Sequence, residues 1–175
     1  MKIEISKDLS GLYKQTLPWD FNNPPMDIID LAESMVKLML EKKAIGLAAN
    51  QCGFPYSIFC MNTVPESYFC INPRIVNMSG ELISGPEGCL SYPSLLLQLK
   101  RFNEVRLRFS APDGQTYTKI FKGMTSRVIQ HEILHLEGKA FFQGLISKTK
   151  LEIAIKKAKK RGFDYSNLGL LKYSS

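Results

Sequence analysis

The 175-residue chain reads as a single α+β domain, because strand-like runs cluster between helical stretches without a repeating strand–helix alternation. Two further observations support this. No internal repeat or low-complexity linker divides the chain, and a domain of this length buries roughly 70% of its unfolded surface, enough for one core and a cleft.

The elements follow in order. Pro24-Pro25 precedes residues 26–43, where Ile28, Leu31, Ala32, Met35, Leu38 and Met39 recur at helical spacing. A proline pair can start a helix but not sit inside one, so an amphipathic, core-packing helix is expected here. Over residues 57–121 the pattern shortens to β-like runs: Ser57-Ile58-Phe59-Cys60-Met61, Tyr68-Phe69-Cys70-Ile71 and Arg74-Ile75-Val76. Val105-Arg106-Leu107-Arg108-Phe109 and Tyr117-Thr118-Lys119-Ile120-Phe121 flank Pro112-Asp113-Gly114, which predicts a hairpin. Ser126 is placed to cap a helix through Val128, Ile129, His131, Glu132, His135 and Leu136, with Gly138 as its stop. Thr149 is placed to cap a last helix through Leu151, Ile155 and Ala158 to Gly162. Residues 148–175 then form a basic C-terminal helix and tail.

The formal net charge is +7, concentrated in Lys148, Lys150, Lys156, Lys157, Lys159, Lys160 and Arg161. Such a run is either a solvated helix face or a patch for polyanions such as ribosomal RNA. The N-terminal residues contain no apolar run of signal-peptide length, and no segment is long and apolar enough to cross a bilayer. A cytoplasmic setting with reduced thiols is therefore expected. There, Cys52, Cys60, Cys70 and Cys89 are packing residues, metal ligands or nucleophiles, not a disulfide framework.

The sharpest chemical signal is His131-Glu132-Ile133-Leu134-His135, which contains both histidines of the chain. Residues four apart on a helix differ by about 40° around the axis, so both imidazoles point the same way and can hold one divalent ion. Glu132 lies about 80° round from that direction, close enough to reach a water beside the ion without binding the ion. The third ligand is less obvious. A metzincin-like protease would place a histidine where Phe141 stands, and other zinc proteases would need a downstream glutamate, here Glu152 among lysines. A cysteine remains, and by chemistry all four qualify. Cys60 and Cys70 lie in apolar, core-like runs. Cys89 lies in Pro86-Glu87-Gly88-Cys89-Leu90-Ser91, where glycine permits close backbone approach. Spacing alone leaves the choice open.

Three segments together resemble the signature motifs of peptide deformylases, in the right order and at similar separations. They are Ile45-Gly46-Leu47-Ala48-Ala49-Asn50-Gln51, Glu87-Gly88-Cys89-Leu90-Ser91 and Gln130-His131-Glu132-Ile133-Leu134-His135-Leu136-Glu137-Gly138. The similarity runs through Ile71-Asn72-Pro73 and covers roughly residues 28 to 147. The resemblance implies a central histidine helix packed against antiparallel strands. It implies metal ligation by Cys89, His131 and His135, with Fe²⁺ as the usual native ion and Zn²⁺ or Ni²⁺ able to replace it. It further implies Glu132 as general base, the Gln51 amide and Leu90 N–H as oxyanion donors, and Ile45, Gly46, Gln51, Glu87 and Leu90 bordering substrate. The implied reaction is hydrolytic removal of the formyl group from formyl-methionine at the N-terminus of nascent polypeptides, and in some family members a C-terminal helix binds the ribosome. Two positions depart from the family pattern: Ala44 replaces a glycine and Leu134 an aspartate. The competing expectations are an HExxH zinc metalloprotease and a catalytically silent ribosome-binding homologue.

Overall fold

The computed structural model describes residues 1–63, 66–166 and 169; the rest of the expected basic tail lies outside the described residues. Helix α1 spans Ile28–Glu41, shorter at both ends than the apolar periodicity suggested. Its start is fixed by Asp27, whose carboxylate accepts from the N–H groups of Ile29 and Asp30, so the proline pair lies upstream of the cap. The helix ends through Lys42 into Lys43, which adopts a left-handed φ of 54°.

Five strands follow: β1 (Gly46–Ala48), β2 (Ile58–Asn62), β3 (Ser67–Cys89), β4 (Tyr92–Ser110) and β5 (Thr116–Lys122). They pair in sequential order, each antiparallel to the next. The expected hairpin is present: Val105 pairs with Phe121 and Phe109 with Tyr117, and Gly114 supplies the turn with φ 82°. The two short runs at 68–71 and 74–76 are instead parts of one 23-residue strand. Register shifts after Ile71, Ile75, Ser79 and Glu87 interrupt its alternation and bend it. Its inner half pairs with β2 and β4, while its far half forms with β4 a separate ribbon ending at Cys89.

Helix α2 (Gly123–Leu136) begins three residues before Ser126. Ser126 is fully buried and donates to the carbonyl of Phe102; it fastens the helix to β4 and does not cap it. The expected stop holds, with Gly138 at φ 71°. There, a Cβ would sit 2.6 Å from the Lys14 backbone. Helix α3 (Lys148–Lys159) starts after Ser147, so Thr149 is already inside it. Leu151, Ala154 and Ala158 are buried in a cluster with Tyr92, Leu95, Leu97, Leu99, Phe141 and Phe142. None of the helices is long and apolar enough to cross a membrane among the described residues.

Helix α2 lies between two apolar bodies. Val128, Ile129 and Leu136 pack with Phe59, Cys70, Val105, Leu107 and Phe109 of the sheet. On another side, the His131 ring stacks on Phe141 at 4.8 Å between centroids. A polar helix face can be held this deep only if its polar atoms find partners.

Candidate metal centre and active site

His131, Glu132 and His135 come from α2, and Cys89 ends β3 at a tight turn whose closing pair is Cys89–Tyr92. The ligand atoms of Cys89, His131 and His135 lie within 4.8 Å of one another, with the Cys89 sulfur 3.2 Å from His135 Nε2. Cys52, Cys60 and Cys70 are outside this group, and Cys60 and Cys70 are fully buried in the apolar body. Phe141 provides the stacked wall described above, and Glu152 is on α3. Neither alternative third ligand reaches the histidines' donor group.

The charge balance beneath the cluster is set by Glu87. Its Oε1 accepts from Arg101 Nε at 2.9 Å and Arg127 Nη1 at 2.7 Å, and its Oε2 from Arg101 Nη2 at 2.8 Å. The same Oε2 lies 3.1 Å from His131 Nδ1. This contact leaves the other ring nitrogen, Nε2, for the cluster. Burial alone would raise Glu87, but the hydrogen bonds and charges of Arg101 and His131 outweigh it and bring its pKa down to about 2. Arg127 also donates to the carbonyls of Leu99 and Ile83.

Arg101 and Arg127 carry no motif and were missed by the sequence reading, yet both left a signal. Arg101 continues the buried parity of Leu95, Leu97 and Leu99 along β4, and Arg127 stands four residues before His131, hence on its helix face.

Burial lowers His131, against the pull of Glu87, and lowers His135 further with help from His131, a direction that favours the neutral imidazole a metal needs. Burial, then the charge of Glu132, pushes the Cys89 thiol up to about 12. Glu132 itself is raised to about 8 by burial and then by Glu87, with Arg101 and the Ala48 N–H opposing. One thiol and two neutral imidazoles in a buried pocket are a fitting donor set for a divalent transition metal, whose charge would hold the sulfur as thiolate. Two buried atoms here, Glu132 Oε2 and His135 Nδ1, have no hydrogen-bond partner among the described residues.

Gln51 sits in a 3₁₀ turn, Ala49–Cys52. Its Oε1 accepts from the Ala48 N–H at 2.9 Å, which fixes the amide and turns Nε2 to Ser91 Oγ at 3.1 Å and to the Cys89 sulfur at 3.3 Å. Ile45, Gly46, Gln51, Glu87, Leu90, Arg127, His131 and Glu132 line one cleft of about 290 Å³. The Glu87 carboxylate is fully engaged below it. A larger groove, about 560 Å³, runs behind α2 along Gln130, Ile133, Leu134 and Glu137; among the described residues the His/Cys cluster borders the smaller cleft and not this groove, which makes the smaller cleft the candidate site. Leu134 faces that rear groove, while Ala44 lines the cleft.

Residues 4–151 match the family model described as polypeptide deformylase. The chain belongs to the polypeptide deformylase family. Among its relatives, a peptide deformylase of Prochlorococcus marinus is 36% identical over 137 residues, 75% of this chain and 68% of the relative. Among solved structures, an actinonin complex of a Synechococcus elongatus peptide deformylase superposes with TM-score 0.82 at 25% identity, covering 93% of this chain and 87% of that one. A class I type b peptide deformylase from Acinetobacter baumannii bound to Met-Ala-Ser superposes with TM-score 0.74 at 27% identity, covering 81% and 96%. The chain is therefore a metal-dependent enzyme that hydrolyses an N-terminal formyl amide.

Proposed function

We propose that this chain deformylates formyl-methionine at the N-termini of nascent polypeptides, with Cys89, His131 and His135 holding one divalent ion. The juxtaposition that carries this reading is the buried sulfur–imidazole cluster with Glu132 beside it, opening on a cleft sized for one side chain. When bound, the ion supplies Lewis acidity toward a water and the formyl oxygen.

The chain's own residues do the rest. Glu132, raised by its buried setting, accepts a proton from the attacking water. The water oxygen bonds to the formyl carbon, and the carbonyl oxygen gains negative charge. Gln51 Nε2, giving up its long contact to the Cys89 sulfur, and the Leu90 N–H donate to that oxygen, interactions of a kind each worth about 3 kcal/mol. The C–N bond then breaks, Glu132 returns its proton to the leaving amine, and formate departs. Glu87, held by Arg101 and Arg127, keeps His131 oriented throughout.

A thiolate with two imidazoles suits Fe²⁺ as the native ion, with Zn²⁺ or Ni²⁺ as replacements. Substrate supply places the enzyme in the cytoplasm, where chains are initiated. Lys150, Lys156 and Lys157 on α3 and Lys160 at its C-cap are exposed while Leu151, Ala154 and Ala158 are docked, a distribution that supports ribosome contact through the helix. Lys159 is paired with Asp164 at 2.7 Å.

The decisive experiment is formate release from formyl-Met-Ala-Ser by anaerobically prepared, Fe²⁺-loaded protein, beside acetyl-Met-Ala-Ser and an internal-peptide protease substrate. Formate from the first alone is expected. Cleavage of the internal peptide, or inertness toward the formyl peptide with metal bound, would overturn the assignment.

A further inference from the structure

We infer that Lys42 and Lys43 form a charge selector at the cleft mouth, favouring substrates with acidic residues two to four positions after the formyl-methionine. The inference rests on the deformylase reading and adds a substrate class to it.

Strand β1 lies at the end of the sheet order, so one of its edges is unpaired within the sheet. The Ile45 carbonyl accepts from Asn62 on the β2 side. Alternation along a strand then turns the N–H and C=O of Gly46 the other way, toward the cleft. An extended peptide laid antiparallel on that edge has its formyl end beside Glu132. Its following residues leave the strand edge past Ile45 and Ala44 toward the turn of Lys43 and Lys42, whose side chains line the same cleft.

Both lysines line the same cleft as the cluster, and both are exposed. Neither makes an ion pair among the described residues. Of the other charges in the cleft wall, Glu87 and Arg127 answer each other, with Arg101 and His131 also on Glu87, and Glu132 is buried at the cleft floor beside the ligand cluster, away from the exposed mouth. Glu41 is turned to a different surface hollow, with Ala32, Val36 and Leu40. The exposed mouth therefore carries the positive charge of the two lysines with no acidic side chain paired to them among the described residues.

The backbone supplies a second, independent observation. Lys43 follows the C-cap of α1 with φ 54°, a position where glycine or asparagine is usual and a long side chain is disfavoured. Hydrogen bonds from Lys42 to Leu38, Lys43 to Leu40 and Ala44 to Met39 hold that geometry. This backbone geometry fixes where the Lys43 side chain leaves the turn, at the lining of the cleft.

The test compares formyl-Met-Ala-Glu-Glu, formyl-Met-Ala-Gln-Gln and formyl-Met-Ala-Lys-Lys on metal-loaded wild type, K42E/K43E and Lys43→Gly. Binding of the corresponding unformylated Met-Ala peptides is measured calorimetrically on the same proteins, so selection is read without turnover. Two exposed charges at a few ångströms favour the acidic peptide over the neutral one by about threefold to tenfold, chiefly in KM. That preference should shrink between about 0.02 and 0.5 M salt, as the Debye length falls from about 20 to about 4 Å. The double variant should reverse the order. Lys43→Gly, which relieves the backbone and so folds without difficulty, should weaken the preference. Equal KM and equal binding for the three peptides on wild type would overturn the inference, as would an acidic preference surviving in K42E/K43E. Inertness toward all formyl peptides would overturn the deformylase reading instead, and the binding series would still decide the selector.

Discussion

Adding one carbon at Gly46 separates the demands of the fold from those of the chemistry. A Cβ built at Gly46 would lie 2.4 Å from Glu132 Oε1 and 2.7 Å from Val128 Cγ1. Ordinary contact lies near 3.4 Å, so the carboxylate must retreat by roughly 1 Å, and misplacement on that scale costs on the order of a hundredfold in rate. The carboxylate is the far end of a flexible side chain and retreats at little cost to stability. Val128 is β-branched and stiff, so most of the destabilisation arises there, within the about 1–3 kcal/mol of an overpacked core. For a chain this long, that is a Tm loss of about 2–12 °C. Gly46→Ala should thus remain folded and metal-loaded while kcat for formyl-Met-Ala-Ser falls about a hundredfold. Val128→Ala in that background should return much of the Tm but not the kcat. Formate assays, metal analysis and thermal unfolding on the same preparations read all three quantities. A Gly46→Ala kcat within threefold or so of wild type would refute the claim that Gly46 holds Glu132 in place.

Glu132→Ala should retain its metal yet lose on the order of 10²–10⁴ in kcat, checked by metal analysis beside formate release. Among single cysteine-to-alanine variants, only Cys89→Ala should lose stoichiometric metal; retention there would displace the sulfur ligand. Glu87→Gln leaves two buried guanidiniums without their anion and should cost about 3–5 kcal/mol in denaturant unfolding, with a 10–100-fold weaker metal site. Because the Glu87 pKa is depressed, from 4.5 to about 2, its contribution is complete above about pH 4.5 and disappears as pH falls through 2. The shift corresponds to roughly 3 kcal/mol, which acid titration of wild type against Glu87→Gln would reveal. Changing Lys156, Lys157, Lys159 and Lys160 to glutamine should weaken ribosome co-sedimentation and flatten its salt dependence, with free-peptide deformylation as the control.

The local signals that proved legible were those with a short physical range. The α1 face, the 105–121 hairpin, the Gly138 stop and the histidine helix each depend on residues within one or two turns of one another. Helix starts were harder to place. Ser126 has the right chemistry for a cap, yet the carbonyl of Phe102 across the sheet claims its hydroxyl. The long β3 hid behind its own bulges, because each register shift resets the alternation that marks a strand. At the site, the histidine spacing declared itself from helix geometry. The grouping of Cys89 with the histidines depends on a contact 46 residues away in sequence, which no periodicity encodes. Arg101 and Arg127 were hardest to see, since a charge on a buried face becomes intelligible only once Glu87 is known to lie opposite.

The placement of Cys89 at the end of β3, facing two histidines on α2, has a mechanical consequence. An ion gripped by all three is a cross-link between the tip of the β3–β4 ribbon and the central helix, elements also joined through Glu87 and through Arg127 to the carbonyls of Leu99 and Ile83. Ligand binding confined to the folded state adds about 2.7 kcal/mol when the free ion exceeds its Kd a hundredfold. That energy acts at the one seam it spans. Chelation should therefore unfasten the molecule unevenly. Amide exchange should quicken first around Glu87–Tyr92 and the adjoining turn of α2, while Val105, Leu107 and Phe109 at the far side of the sheet stay protected.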